Sequence, residues 1–366
     1  MITGVRRALA LGWKSRFRTG TIREEEVEVP RSQDCVPASL FMPNQARSPL
    51  PGWVVLHGVT RPGRNHPTLL QFARALAGSG AIVLVPEIRE WRNLDLAPEE
   101  ATETIRASVL ALADRKEVAR SRIGIMGTSF GVPHALQAAT DPVLMKHLRV
   151  VVGFGGYCSL HRTLRFLFRG EHEWMGRRFL GDPDPYGRWV VTGNYLTRVP
   201  GFEDAGDVAE ALLRLARHAS DVQVGSWHER FDPVKEELAG TIDPSRRNLF
   251  RGIAPPAGKT PDSELSETIA EALAQAGETA SPLFRPASLL GGIQVPVRLV
   301  HGREDRLIPF TESLRLGEAF APGADVRIDL TWLLAHSRRD GAGGSDGELV
   351  EQLRFLRIMA NILGLV

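Results

Sequence analysis

Between residues 50 and 155, four short runs of apolar residues are separated by three stretches with apolar residues at helical spacing, and this alternation leaves few folds open. The runs are Trp53 to Leu56, Ala81 to Val85, Ile123 to Met126 and Arg149 to Phe154. None alternates apolar with polar residues, so each reads as a strand buried on both faces. The intervening stretches carry Leu69, Phe72 and Leu76, then Ile105, Val109 and Leu112, and then residues 130–139 with Pro133 in the first helical turn, where its missing N–H costs nothing. Strands buried on both faces and separated by helices imply an α/β protein with a mostly parallel central sheet between two helical layers. Glu26 to Val29 and Ala38 to Met42 read as edge strands ahead of this series.

The rhythm breaks at about residue 158 and resumes at Val295 to His301 and Asp325 to Leu330, before a closing helix carrying Leu349, Leu353 and Leu356. The interval holds amphipathic helices marked by Val208, Leu212 and Leu215 and by Leu265, Ile269 and Leu273, the second announced by Thr260 as cap and Pro261 at its first position. The expected organisation is a core in two parts, residues 1–157 (with an N-terminal extension) and 293–366, interrupted by a mainly helical insertion at 158–292.

Lys and Arg number 45 against 43 Asp and Glu, a net charge of +2, which leaves no electrostatic footprint for nucleic acid. Cys35 and Cys158 match no metal or redox spacing, so a reducing, cytoplasmic setting is expected. Residues 1–17 are basic around a short apolar patch, too short for a secretory core, and read as an amphipathic helix packed on the domain or against a partner, with membrane-surface attachment as the alternative. No run approaches the roughly 20 apolar residues of a membrane span.

The third apolar run ends in Gly127-Thr128-Ser129-Phe130-Gly131. A strand that stops in G-x-S-x-G and restarts as a helix forces the serine into a tight elbow, with its hydroxyl free at a helix N-terminus. Ser129 is therefore the candidate nucleophile. A serine hydroxyl needs a base to take its proton and an acid to orient that base. Two late segments supply candidates: His301-Gly302-Arg303-Glu304-Asp305 after one strand, and Thr331 to His336 after the last. Both follow the carboxyl ends of strands, the edge where open α/β sheets place ligands.

In these features the chain resembles an α/β-hydrolase. The elbow, the His57-Gly58 pair after an earlier strand, the H-G-x-x-D run at 301–305 and the late His336 follow that family's order of serine, acid and histidine. The resemblance covers about residues 25–157 and 293–366, and members commonly carry a cap where residues 158–292 fall. It implies Ser129 as nucleophile, Asp305 as acid and His336 as base. The Phe130 N–H would be one oxyanion donor, and the loop after His57-Gly58 would supply the second from Val59, with Thr60 as the alternative. Glu304 competes with Asp305 for the acid's role, and Asp340 lies too close to His336 along the chain to orient it easily. His57 and His301 read as turn histidines that bond loop backbone.

The implied activity is that of a serine esterase, dienelactone hydrolase-like, cleaving a small-molecule carboxylic ester, thioester or lactone through an acyl-enzyme, with no cofactor and no metal. An acyltransferase, a cofactor-free perhydrolase or a non-catalytic binding member of the fold would share this frame. Arg61 and Arg64 in the oxyanion loop, and Trp91-Arg92, read as solvated charges or as contacts to an anionic substrate. His172-Glu173 lacks the second histidine of a zinc motif. Phe166, Phe168, Trp174, Trp189 and Trp227 are candidates for a pocket wall or for packing within the insertion.

Overall fold

The computed structural model describes residues 8, 22–44, 49–96, 98–334 and 345–366. Its strands are β1 (Ile22–Pro30), β2 (Cys35–Pro43), β3 (Leu50–Val55), β4 (Ile82–Pro86), β5 (Val118–Thr128), β6 (Leu148–Phe154), β7 (Glu171–Trp174), β8 (Arg177–Leu180), β9 (Val297–Gly302) and β10 (Val326–Thr331). Eight of them make one sheet in the order β1-β2-β4-β3-β5-β6-β9-β10, while β7 and β8 pair as a separate hairpin. β2 runs antiparallel to both its neighbours, β1 and β4. From β4 through β3, β5, β6 and β9 to β10 every pairing is parallel.

The longer helices are α1 (Pro67–Gly78), α2 (Pro98–Ala113), α3 (Gly131–Ala138), α4 (Leu160–Arg169), α5 (Pro185–Tyr195), α6 (Gly206–Val222), α7 (Asp232–Thr241), α8 (Arg247–Ile253), α9 (Ser263–Ala280), α10 (Phe310–Glu318) and α11 (Ser345–Leu363). Side chains alternate between the faces of a strand. Val54, Leu56, Ile82 and Leu84 therefore join an apolar layer with α2 and α3, while Trp53, Val55, Val83 and Val85 join a second layer with α1 and α11. This two-sided burial is why the strands show no polar alternation.

Between β6 and β9 the chain forms helices α4 to α9 and the β7–β8 hairpin. The buried faces of α4, α5, α6 and α9 belong to the same apolar layer as α2 and α3, so this segment is continuous with one face of the sheet. Two local expectations need correction. Helix α9 is capped by Asp262, whose carboxylate accepts from the Leu265 N–H at 2.9 Å; Thr260 and Pro261 precede the helix. Aspartate outranks threonine as a cap, and the two residues compete only two positions apart. In α11, Leu349 and Leu353 are exposed, and Ile358, Met359, Ile362 and Leu363 make the inward face. The helix has apolar residues on more than one side, so spacing alone did not select the face that packs. No helix among the described residues is long and apolar enough to cross a membrane.

Candidate active site

The turn between β5 and α3 holds Ser129 at φ +55°, a left-handed conformation that non-glycine residues seldom adopt. The strain is held by its neighbours. The Ser129 N–H donates to the Phe154 carbonyl at 2.8 Å, and the Val132 N–H donates to the Ser129 carbonyl at 3.0 Å. Gly127 is required by space: a Cβ there would overlap the Gly131 carbonyl and sit 2.8 Å from the Val132 nitrogen. The chain thus turns back on itself so tightly that only hydrogen fits at that position.

A cavity of about 130 Å³ opens at this elbow, with Ser129 and Phe130 in its wall. Gly58, Val59 and Thr60 line it from the end of β3, and Leu307 and Ile308 from the end of β9. Three loops from the carboxyl ends of β3, β5 and β9 thus meet at one hole. The rest of the wall comes from Leu96 and from the segment between β6 and β9, chiefly Leu160, Leu167, Tyr186, Val190, Val191 and Phe284. It is overwhelmingly apolar.

His57 sits beneath the first loop, fully buried. Its Nδ1 lies 2.7 Å from the Gly58 carbonyl and its Nε2 accepts the Ile88 N–H at 3.0 Å, which assigns the ring proton to Nδ1. Burial pushes its pKa down from 6.5 to about 4, and the nearby Arg92 and Arg64 charges push the same way. The carbonyl and N–H of a trans peptide point in opposite directions, so the Val59 N–H is turned away from His57. Likewise Tyr186 Oη donates to the Val59 carbonyl at 2.9 Å and turns the Thr60 N–H away from itself. Among the described residues neither the Val59 nor the Phe130 N–H has a hydrogen-bond partner.

The arginines of this loop are paired within the protein, Arg64 in its interior and Arg61 at its surface. Arg64 is buried, pairs with Glu87 at 3.3 Å and Glu26 at 3.0 Å, and donates to Ser39 Oγ at 2.6 Å. Arg92 lies 3.7 Å from the same Glu87 and donates to the Arg61 carbonyl at 3.2 Å. Burial raises the Glu87 pKa, and the two guanidiniums oppose the rise. Arg61 pairs with Asp221 at 3.2 Å, and its N–H donates to Ser220 Oγ at 2.9 Å. The indole of Trp91 is buried among His57, Phe130 and His134.

Asp305 is buried, whereas its neighbour Glu304 is exposed. One Asp305 oxygen accepts the N–H groups of Leu307 at 2.9 Å and Ile308 at 3.0 Å, and the other stands 3.6 Å from His301 Nε2. His301 itself bonds the Ile308 carbonyl at 2.9 Å and Ser313 Oγ at 2.6 Å, so His57 and His301 both brace loop backbone as expected. His336 and Asp340 lie outside the described residues.

None of the five aromatics proposed for the pocket lines this cavity. Phe166, Phe168 and Trp189 are fully buried in the interior, Trp227 lies over the Arg306 guanidinium at 3.7 Å, and Trp174 faces Arg315. The wall residues that the insertion contributes, Tyr186 above all, are not singled out by the sequence pattern. Asp184-Pro185 before it is a helix-start signal that places Tyr186 in a first turn, but spacing says nothing of the loop it reaches. Among the described residues no group of histidines, cysteines and carboxylates could hold a metal ion.

No family model matches the sequence, and no curated protein is significantly similar to it. Solved structures do resemble it. Acylaminoacyl peptidase from Pyrococcus horikoshii superposes with a TM-score of 0.52 at 12% identity, over 95% of this chain and 42% of the peptidase. A fungal esterase from Rhizomucor miehei gives 0.51 at 13% identity, over 98% of this chain and 89% of the esterase. Brefeldin A esterase, a bacterial homologue of human hormone-sensitive lipase, gives 0.51 at 14% identity, over 98% and 84%. The chain spans about two-fifths of the peptidase's length. Such likeness shows the fold, and the fold is that of the α/β-hydrolases.

Proposed function

We propose that the protein is a serine hydrolase that cleaves a small, uncharged carboxylic ester, thioester or lactone through an acyl-enzyme. The observation that carries the reading is Ser129, held at φ +55° in the wall of an apolar cavity whose other walls bring in the β3 and β9 loops. Strain of this kind persists only where the surrounding structure enforces it, and here it sets the hydroxyl apart from the backbone.

In this reading His336 takes the proton of Ser129 as its oxygen attacks the acyl carbon, and Asp305 orients the imidazole and stabilises its charge. The tetrahedral oxyanion is held by the N–H groups of Phe130 and Val59, both without partners among the described residues and so free to serve. His336 then protonates the leaving alcohol or thiol, activates water to attack the acyl-enzyme and returns the proton to Ser129. The orientation of the Gly58 and Val59 carbonyls favours Val59 over Thr60 as second donor.

The cavity also constrains the substrate. At about 130 Å³ it is well below the roughly 300–1,000 Å³ of sites for drug-sized ligands, which suits a short apolar acyl group. Neither Arg61 nor Arg64 is left to meet an anionic substrate, since each is paired within the protein. The test is a series of p-nitrophenyl esters of rising acyl length, with fluorophosphonate labelling mapped by peptide mass spectrometry. Label on Ser129, a preference for short acyl chains and a loss of about 10⁶-fold in turnover for Ser129→Ala are expected. A Ser129→Ala protein as active as the parent would overturn the assignment.

A further inference from the structure

One short segment, Asp182-Pro183-Asp184-Pro185-Tyr186, touches two loops of the candidate site at once. At its first end the Arg306 Nε–H donates to the Asp182 carbonyl at 2.6 Å, the same guanidinium pairs with the Asp182 carboxylate at 2.6 Å, and the Asp184 N–H donates to the Arg306 carbonyl at 2.7 Å. Arg306 directly follows Asp305, and Trp227 covers its guanidinium. At its other end Tyr186 Oη donates to the Val59 carbonyl at 2.9 Å. The span between is stiff. Two of its five residues are prolines with fixed φ, and Asp184 caps α5 by accepting the Tyr186 N–H at 3.0 Å.

We propose that residues 182–186 form a strap that sets the β3 loop and the Asp305 loop in register, with Tyr186 and Arg306 as positioning residues for the oxyanion donor and the acid. The inference rests on the serine-hydrolase reading above. Its physical basis is the backbone at Val59. His57 holds the Gly58 carbonyl and Tyr186 holds the Val59 carbonyl, so the peptide planes on both sides of Val59 are fixed. The direction of the Val59 N–H is fixed with them. Removing the tyrosine hydroxyl frees one plane, and removing the Arg306 fork lets the strap shift from its far end.

Because one strap is held at two ends, releasing either end has the consequence of releasing both. The test compares the parent with Tyr186→Phe, Arg306→Lys and the double variant. The readouts are kcat and KM on p-nitrophenyl butyrate, the Ki of a trifluoromethyl ketone that adds to the serine as an oxyanion, and Tm. Each single variant should lower kcat about tenfold, the scale of one ordinary hydrogen bond, with KM within about twofold. The ketone should weaken by about the same factor, since it too needs the oxyanion donors. The double variant should fall little below the singles.

Singles with kcat within twofold of the parent overturn the strap, as does a loss of activity with lower Tm and unchanged ketone affinity. A double variant that shows the product of the two single effects overturns it as one device. If Arg306→Lys does not fold, Tyr186→Phe, which keeps the ring in the cavity wall, still decides. A Ser129-dependent parent with unmoved variants rejects the strap alone, whereas a parent with no Ser129-dependent turnover rejects the hydrolase reading and the strap together.

Discussion

The serine elbow and the two loops that face it are built in opposite ways. The elbow is assembled almost entirely from its own neighbourhood: the strained Ser129, the Gly127 to Gly131 contact and the bond to Phe154 all lie within residues 127–154. The β3 and β9 loops are held from far along the chain. Val59 is bonded by Tyr186 across 127 residues, Arg61 by Ser220 across 159, and Arg306 by Asp182 across 124. The comparison teaches that one part of such a site can be fixed by local backbone geometry while its companions depend on a remote segment docking correctly. Damage to the first should therefore be absolute, and damage to the second graded.

The sharpest break should come at Gly127. A methyl group there meets backbone atoms of Gly131 and Val132, which cannot swing aside as a side-chain tip can. Gly127→Ala is expected to remove all measurable ester turnover and fluorophosphonate labelling, with a Tm drop matching a loss of several kcal/mol. A labelled, parent-like protein would show that the elbow is not self-contained. Asp305→Asn should come next. Asparagine keeps an oxygen for the Leu307 and Ile308 N–H groups but cannot stabilise an imidazolium, so kcat should fall about 10⁴-fold with Tm nearly unchanged. An equal loss in Glu304→Gln would mean that the acid had been chosen wrongly.

The same contrast explains what could be read from the sequence. The strands fall close to their expected positions because burial on both faces writes an unbroken apolar run, and the elbow is visible because its five residues constrain one another. The arginines at 61 and 64 read as solvated or substrate-facing because Asp221, Glu26 and Glu87, which pair with them, have no fixed spacing from them. The pocket wall was sought among aromatics, yet it is mostly aliphatic and drawn from helices whose apolar stripes are indistinguishable from core. The β7–β8 hairpin left no signal, since its strands are four residues long and mostly exposed or half-buried. Short exposed strands carry no apolar alternation.

The smallest of these effects separates the two regions by pH. The elbow Gly127 to Gly131 contains no titratable side chain, whereas the β3 loop is tied down by His57. The folded pKa of His57 is about 4 against an ordinary 6.5, so between those values the unfolded chain binds a proton that the folded protein refuses. Stability contributed by this group is therefore intact above about pH 6.5, declines as pH falls, and is exhausted near pH 4. A shift of this size corresponds to about 3 kcal/mol. Protonation would also destroy the acceptor that Nε2 offers to the Ile88 N–H, freeing the loop that carries Val59. Urea unfolding of the parent and of His57→Asn across pH 4 to 7 measures the difference. His57→Asn is expected to be the less stable protein at pH 7 but to lose less on acidification, so that the two curves converge. Curves that stay parallel would show that the loop's histidine is not held neutral by its burial, and the β3 loop would then be no more acid-sensitive than the elbow.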